Sequence, residues 1–514
     1  MGDSHKCDRL KPDWGCRVRE FLVLLGICNL LSSAYLAVLL DASNRQDLFW
    51  NRVDTVALFL VIAAATAVMY AAYLLLNRLT GGRFAVIGRH GIFPILAVGF
   101  IQLVPQKFLT EHGWPVDATY GAIVGIGFTG AVISVFLGTG KLAAAMRRVA
   151  MGLALIYPIL FVQILRFPPF IARDDLGTNA SRPEGTSSPS VVILSFDSIS
   201  MAQCLDENGD WRSDLPEIGK LRLGAVCFDN AMACGGGTTM SVPNLLFQRD
   251  PAQFGRGRWS DSWFAVDPSI FTNGLWFSAK QQGYRTGVVG LYLPFGQMFG
   301  PLLDEARDFT LFRYVVPDSF AHRCANQAIS LVDYARGPFD GGLIAEIPRL
   351  RYVPGWLNEK HFKQITDRQR AAVQSYLENM PATGRFFYVH MGIPHSPAIF
   401  LPDGTVDSIR ATYDSQLRYA DKVVGEFIAT LKENGTYEAC WVILTSDHGH
   451  HGFDLPPDQH RHVPFVVKAP GSAYAQRVDA KLRLWELAPY FKAVFSGAPA
   501  AECLAEMPVE LKLE

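Results

Sequence analysis

Every long apolar run in this 514-residue chain lies before about residue 170, and that asymmetry limits the folds open to it. Five stretches there are apolar and long enough to cross a bilayer, which takes about 20 residues of helix. They cover approximately 20–40, 54–76, 87–105, 118–138 and 149–167, with Arg89, His90 and Pro94 crowding the start of the third. A soluble domain can bury one such helix, but five in succession point to a transmembrane bundle. The first run is too long for a removable signal peptide and lacks a small-residue cleavage site. An apolar share of 49% then divides between a membrane part and a water-soluble part.

Basic residues orient the bundle. Lys6, Arg9, Lys11, Arg17 and Arg19 precede the first run, Arg78, Arg83 and Arg89 follow the second, and Lys141, Arg147 and Arg148 follow the fourth. These loops are expected on the cytoplasmic side, so residues 1–167 form the membrane domain with its N-terminus inside, and everything after 167 is exported. No run carries a charge near its middle, which argues against an ion or substrate pathway. The net charge of -1 offers nothing to nucleic acid. Six of the nine cysteines (Cys204, Cys227, Cys234, Cys324, Cys440 and Cys503) fall in the exported part and allow up to three disulfides. No CxxC pair occurs, which argues against a thiolate zinc site.

Residues 168–190 are rich in Pro, Ser and Gly and read as a linker. Beyond it, short apolar runs recur at 191–196, 224–229, 286–291, 386–391, 441–445 and 463–468. Amphipathic helical patterns cover 366–380 and 412–434. Strands alternating with helices predict an α/β domain over 191–514 with a mainly parallel central sheet. The segment 338–360 mixes Trp356, Tyr352 and basic residues and suits a membrane surface or an ordinary surface helix.

Ligands of such sheets bind at the carboxyl ends of strands. There the sequence places Asp197, then Ser446-Asp447-His448-Gly449, then Gly392 and His395. Two carboxylates and an imidazole make a donor set for a divalent ion, Zn2+ above all, with Mn2+ or Mg2+ as alternatives. Seven of the twelve histidines lie between 390 and 462. A metal beside a hydroxyl makes it a nucleophile at neutral pH. Cys234-Gly-Gly-Gly-Thr238-Thr-Met-Ser241 supplies hydroxyls at Thr238, Thr239 and Ser241, on a glycine stretch that lets the backbone approach an anion.

These residues resemble the membrane-anchored phosphoethanolamine transferases of the alkaline phosphatase/sulfatase superfamily. The run from Cys234 through Ser241-Val-Pro243 overlays the family's nucleophile motif without a gap. Ser446-Asp447-His448-Gly449 matches its metal motif, and His390-Met391-Gly392-Ile393-Pro394-His395 is similar to a third, one residue shorter. Tyr413-Asp414 resembles a helix start of the family. The resemblance implies Thr238 as nucleophile and Asp197, Thr238, Asp447 and His448 around one or two zinc ions. It makes His395 a phosphoryl contact, second-metal ligand or proton donor. Asp197 stands where the family usually has Glu, and His451 and His460 compete for a further histidine, ahead of His450 and His462.

The implied reaction moves phosphoethanolamine from a phospholipid donor to a lipid or glycan hydroxyl. It takes place at the outer face of a bacterial inner membrane, in a protein expected to be monomeric. Phosphoglycerol transfer onto a glycan would use the same residues. A hydrolase of the superfamily is the third reading. Ser241-Val-Pro243-Asn244 imitates a phosphodiesterase pattern that would make Ser241 the nucleophile, while Leu245 replaces the arginine a sulfatase motif needs. A non-catalytic receptor that kept the fold would have lost a ligand or nucleophile, and no such loss is seen.

Overall fold

The computed structural model describes residues 52–81, 185–253, 274–309 other than 294, 319–336, 359–450 and 459–511 other than 472–473. It also describes a few positions within 18–25 and 148–162. The chain divides into two compact units.

The larger unit is built on one nine-stranded sheet. Its strands are β1 (Val191–Asp197), β2 (Val226–Met232), β3 (Arg285–Leu291), β4 (Glu305–Phe309), β5 (Arg385–Pro394), β6 (Trp441–Ser446), β7 (His462–Lys468), β8 (Gln476–Val478) and β9 (Leu482–Arg483). The order is β4-β3-β5-β1-β6-β7-β2-β8, with β9 also on β2. Among the described strands only β7 runs against its neighbours, so the sheet is mixed but mainly parallel, as expected.

The central strand β1 has all seven residues buried. That is why VVILSF reads as an unbroken apolar run, since helices cover both faces of a parallel sheet. Its side chains alternate between two cores. Val191 and Ile193 pack with Tyr388, Ile443 and Trp276, whereas Val192 and Leu194 pack with Val389, Leu417 and Val424. Burying each such side chain stabilises the fold by about 1.5–3 kcal/mol. Helix Tyr413–Glu433 lays its apolar face on the second core and starts at a reciprocal cap: Ser415 N donates to Thr412 Oγ1 at 3.1 Å and Thr412 N to Ser415 Oγ at 2.9 Å. Asn434 closes this helix with its backbone N–H on the Thr430 carbonyl, and its side-chain amide donates to the Leu377 carbonyl of helix Glu359–Glu378.

Register sets up the site. Ser195 lies between His390 on β5 and Thr445 on β6, but the β1–β5 register breaks after Phe196, and Asp197 pairs with Pro394. Asp197 is thereby turned out at the carboxyl edge of the sheet.

The smaller unit contains helix Arg52–Leu79, 28 residues long and the one described helix apolar enough to cross a membrane. It coincides with the second expected span. The other four expected runs lie largely outside the described residues, as do His451 and most of the segment 338–360. Helix Phe320–Arg336, which falls within the stretch expected to be one exported block, groups with this unit, and its Arg323 Nη1 lies 2.9 Å from Asp54 Oδ1.

Candidate active site

The turn after β1 holds Asp197 through its neighbour. Ser198 adopts the left-handed region at φ 72, uncommon for a residue with a side chain. In that pose its Oγ donates to Asp197 Oδ1 at 2.9 Å, and its backbone N–H donates to Asp447 Oδ1 at 3.1 Å. The Tyr413 hydroxyl donates to the Ser198 carbonyl at 2.8 Å and fixes the turn from outside.

Asp447 follows β6 and is locked to β1. Its N–H donates to the Phe196 carbonyl at 3.1 Å, and the Ser446 hydroxyl reaches the same carbonyl at 2.7 Å while accepting from Ile199 N at 2.8 Å. The first residue of the Ser446-Asp447-His448-Gly449 motif is thus a clamp between two strand ends. Gly449 serves close approach, because a Cβ there would lie 2.9 Å from the His460 carbonyl oxygen and 3.0 Å from Ser200 Oγ.

Around the Asp447 carboxylate three elements converge. Thr238 Oγ1 donates to Oδ2 at 2.7 Å, and His390 Nε2 lies 3.2 Å from the same oxygen. His448 Nε2 is 3.3 Å from Thr238 Oγ1 and 3.5 Å from both Asp197 Oδ1 and Asp447 Oδ2. Asp197, Thr238, His390, Asp447 and His448 are all buried. Thr238 is delivered by the glycine stretch as the first residue of helix Thr238–Phe247. Gly235 is required there, since a Cβ would lie 2.8 Å from the Met240 side chain. The helix N-terminus presents its first amides toward an incoming anion. Ser241, the rival hydroxyl, donates to the backbone carbonyl of Asp447.

Charge follows from this packing. Burial pushes the Asp447 carboxyl upward, but the imidazoles of His448 and His390 outweigh it and hold the group well below the usual carboxylate range. His390 moves the other way: burial opposes its charge, and the hydrogen bond and field of Asp447 raise it nonetheless. His395, half-buried, is raised chiefly by the Asp197 carboxylate, against its own burial.

The donor set fits a divalent cation. Asp197, His390 and Asp447 each offer a ligand atom within 4.8 Å of the others. The two imidazoles turn Nδ1 away, His390 onto the Leu291 carbonyl at 3.0 Å and His448 onto the Gly449 carbonyl at 2.8 Å. That arrangement leaves each Nε2 facing the carboxylates, as second partners do around metal-binding histidines. With Nδ1 protonated, the lone pair of His390 Nε2 faces the lone pairs of Asp447 Oδ2, and a cation or a proton must lie between them.

The structure therefore brings Asp197, Thr238, Asp447 and His448 together, and adds His390, which the sequence reading placed in a strand without giving it a role. Its one local mark is an imidazole inside the otherwise apolar run FFYVHM, within strand β5. His460 Nδ1 lies 2.9 Å from the His450 carbonyl and its own carbonyl accepts from Gly449 N at 2.7 Å, while the His450 ring stacks on Tyr413 at 4.0 Å between centroids. The six described cysteines are free thiols, so none of the disulfides allowed by their number is formed among them. Burial pushes the Cys234 thiol far above its ordinary value, which leaves it a packing residue beside the glycines.

A mixed, mainly parallel sheet with two aspartates, two histidines and a threonine opening a helix at its carboxyl edge defines a metal-site α/β enzyme fold. The chain belongs to the Sulfatase family, whose model matches residues 189–495. Similar solved structures include the lipoteichoic acid synthase LtaP from Listeria monocytogenes, with 12% identity over 61% of this chain and 72% of that one and a TM-score of 0.37. The phosphonate monoester hydrolase of Agrobacterium radiobacter is 16% identical over 63% and 78%, with a TM-score of 0.40. A protein of the alkaline phosphatase superfamily from Vibrio parahaemolyticus is 16% identical over 62% and 69%, with a TM-score of 0.41. No curated protein sequence matches the chain.

Proposed function

We propose that this protein is a membrane-anchored phosphoethanolamine transferase that works through a phospho-threonine at Thr238. The observation that carries the reading is the contrast between two hydroxyls. Thr238 Oγ1 is aimed at the Asp447 carboxylate and His448, whereas the Ser241 hydroxyl is engaged with a backbone carbonyl. Asp197, His390, Asp447 and His448 would hold a zinc ion, and a bound divalent ion supplies positive charge that favours the threonine alkoxide.

In the first step Thr238 Oγ1 gives up its proton to solvent, by way of its hydrogen bond to Asp447 Oδ2, and bonds to the phosphorus of the donor lipid as the bond to the diacylglycerol oxygen breaks. That oxygen takes a proton, a role we assign to His395, whose charged form the Asp197 carboxylate favours. In the second step the acceptor hydroxyl attacks the phosphorus, gives up its proton, and returns Thr238 as a free hydroxyl. A donor with two acyl chains stays in its leaflet, so a catalytic domain of residues 191–514 joined by 168–190 to a membrane domain of residues 1–167 meets it at high effective concentration.

The test uses the purified full chain with defined phospholipids, measuring diacylglycerol release and the mass added to the Thr238 peptide. An ethanolamine-phosphate adduct is expected, and Thr238→Ala should lose transfer by about 10³-fold or more. A glycerol-phosphate adduct would replace the head group, an adduct on Ser241 would overturn the nucleophile, and full activity of Thr238→Ala would sink the mechanism.

A further inference from the structure

Helix Phe320–Arg336 is inside out for a helix in water. Among its described side chains the buried ones are polar: Asn326, Gln327 and Ser330 are 3%, 4% and 5% exposed. They share one face with Arg323, because positions 323, 326, 327 and 330 repeat at helical spacing. Arg323 reaches from that face to Asp54, which is fully buried in helix Arg52–Leu79. Between residues 320 and 331 the opposite sector holds Ala321, Cys324, Ala325, Ala328 and Ile329, with His322 at its margin. Ala321 and Ile329 are exposed, as is Phe320 at the helix start. A water-facing helix puts its apolar stripe inward and its polar face out, and the reverse costs on both sides in water.

The partner helix behaves the same way at the same end. Near Asp54 it exposes Val53, Val56 and Leu60. Polar groups gathered between helices with apolar groups around the outside are how protein packs in hydrocarbon. Arg52 and Asp54 stand in the opening turn of their helix, so the Arg323–Asp54 pair belongs at the level where a span meets the head groups.

We propose that helix Phe320–Arg336 is seated in the lipid bilayer beside helix Arg52–Leu79, with Phe320, Ala321 and Ile329 in contact with acyl chains. The occupant of this exposed face is lipid, continuous with the lipid around the span. This proposal rests on the membrane reading of Arg52–Leu79 and not on the transfer chemistry.

The experiment reconstitutes the full chain in vesicles of phosphatidylethanolamine and phosphatidylglycerol, with a trace of phospholipid carrying an acyl-chain diazirine. After irradiation, tryptic peptides are read by mass spectrometry, so activity plays no part. Peptide 324–336 should be labelled about tenfold above peptide 371–385 of the larger unit, with peptide 53–78 as the membrane reference. Ile329→Glu should lower the 324–336 label about threefold while 53–78 is unchanged. Labelling of 53–78 alone would overturn the proposal, and absence of label from both would overturn it together with the membrane reading. The wild-type comparison stands whether or not the variant folds.

Discussion

Asp447 and Asp308 sit at the same edge of one sheet and have opposite fates. Asp308 lies on edge strand β4, and Gly290 pairs with both Asp308 and His390, so it is two strand spacings, roughly 10 Å, from the site histidine. One of its oxygens accepts from Gly296 N at 2.9 Å; the other is buried and has no hydrogen-bond partner. Burial pushes its carboxyl up to about 7. Asp447 suffers the same desolvation, yet two imidazoles, a hydroxyl and two amides reverse its sign. Desolvation alone makes a carboxyl that keeps its proton. Desolvation among cationic and donor groups makes one that stays charged and can take a metal.

The comparison breaks most sharply at Asp447. Replacing it with Asn keeps the shape and removes the charge on which Thr238, His390 and His448 converge, so turnover should fall about 10³-fold and bound metal should be lost. Lipid-donor assays beside metal analysis by mass spectrometry check this, and retention of more than a tenth of the activity would mean the charge is not central. A smaller effect is expected at the support. Tyr413→Phe keeps the ring that stacks on His450 but removes the hydroxyl bond to Ser198, and should lower kcat about tenfold with KM little changed. Equal changes in both constants would assign Tyr413 to substrate binding instead.

The least effect, and the opposite sign, belongs to Asp308. Its folded pKa is raised, so its contribution to stability is fully present below the unfolded value near 3.8 and is lost as pH rises through about 7. Asp308→Asn should therefore gain on the wild type between pH 4 and 7 and then level off, by roughly 2 kcal/mol once its partial exposure is allowed for. Thermal unfolding of both proteins in detergent across that range measures it. A difference that did not change with pH would show that Asp308 is ionised throughout.

The parts of the fold that were legible are those buried on both faces. The runs at 191–196, 386–391 and 441–445 became β1, β5 and β6, since continuous burial leaves a continuous apolar word. The edge strand β4, EARDF, carries three charges, and its alternation is masked because Ala306 and Arg307 both face solvent. Direction is not written in VPFVVK, so the antiparallel course of β7 emerged only from its partners. Asp197, Thr238, Asp447 and His448 stood out as residues that follow strands, whereas His390 was hidden by belonging to one. Its partner Asp447 is 57 residues away, and no local pattern joins them. The inversion of helix Phe320–Arg336 was equally hidden, because which face of an amphipathic helix is buried depends on the solvent around it.

Ser198 carries a consequence beyond its hydrogen bonds. One residue, bent into a left-handed conformation, places a hydroxyl on Asp197 and an amide on Asp447, and so sets the gap between two like charges. It acts as a spacer gauge. A glycine would relax the backbone but release Asp197, and a β-branched residue would resist the bend altogether. At this position ease of folding and precision of charge placement pull against each other, and serine is the compromise that keeps both carboxylates in register.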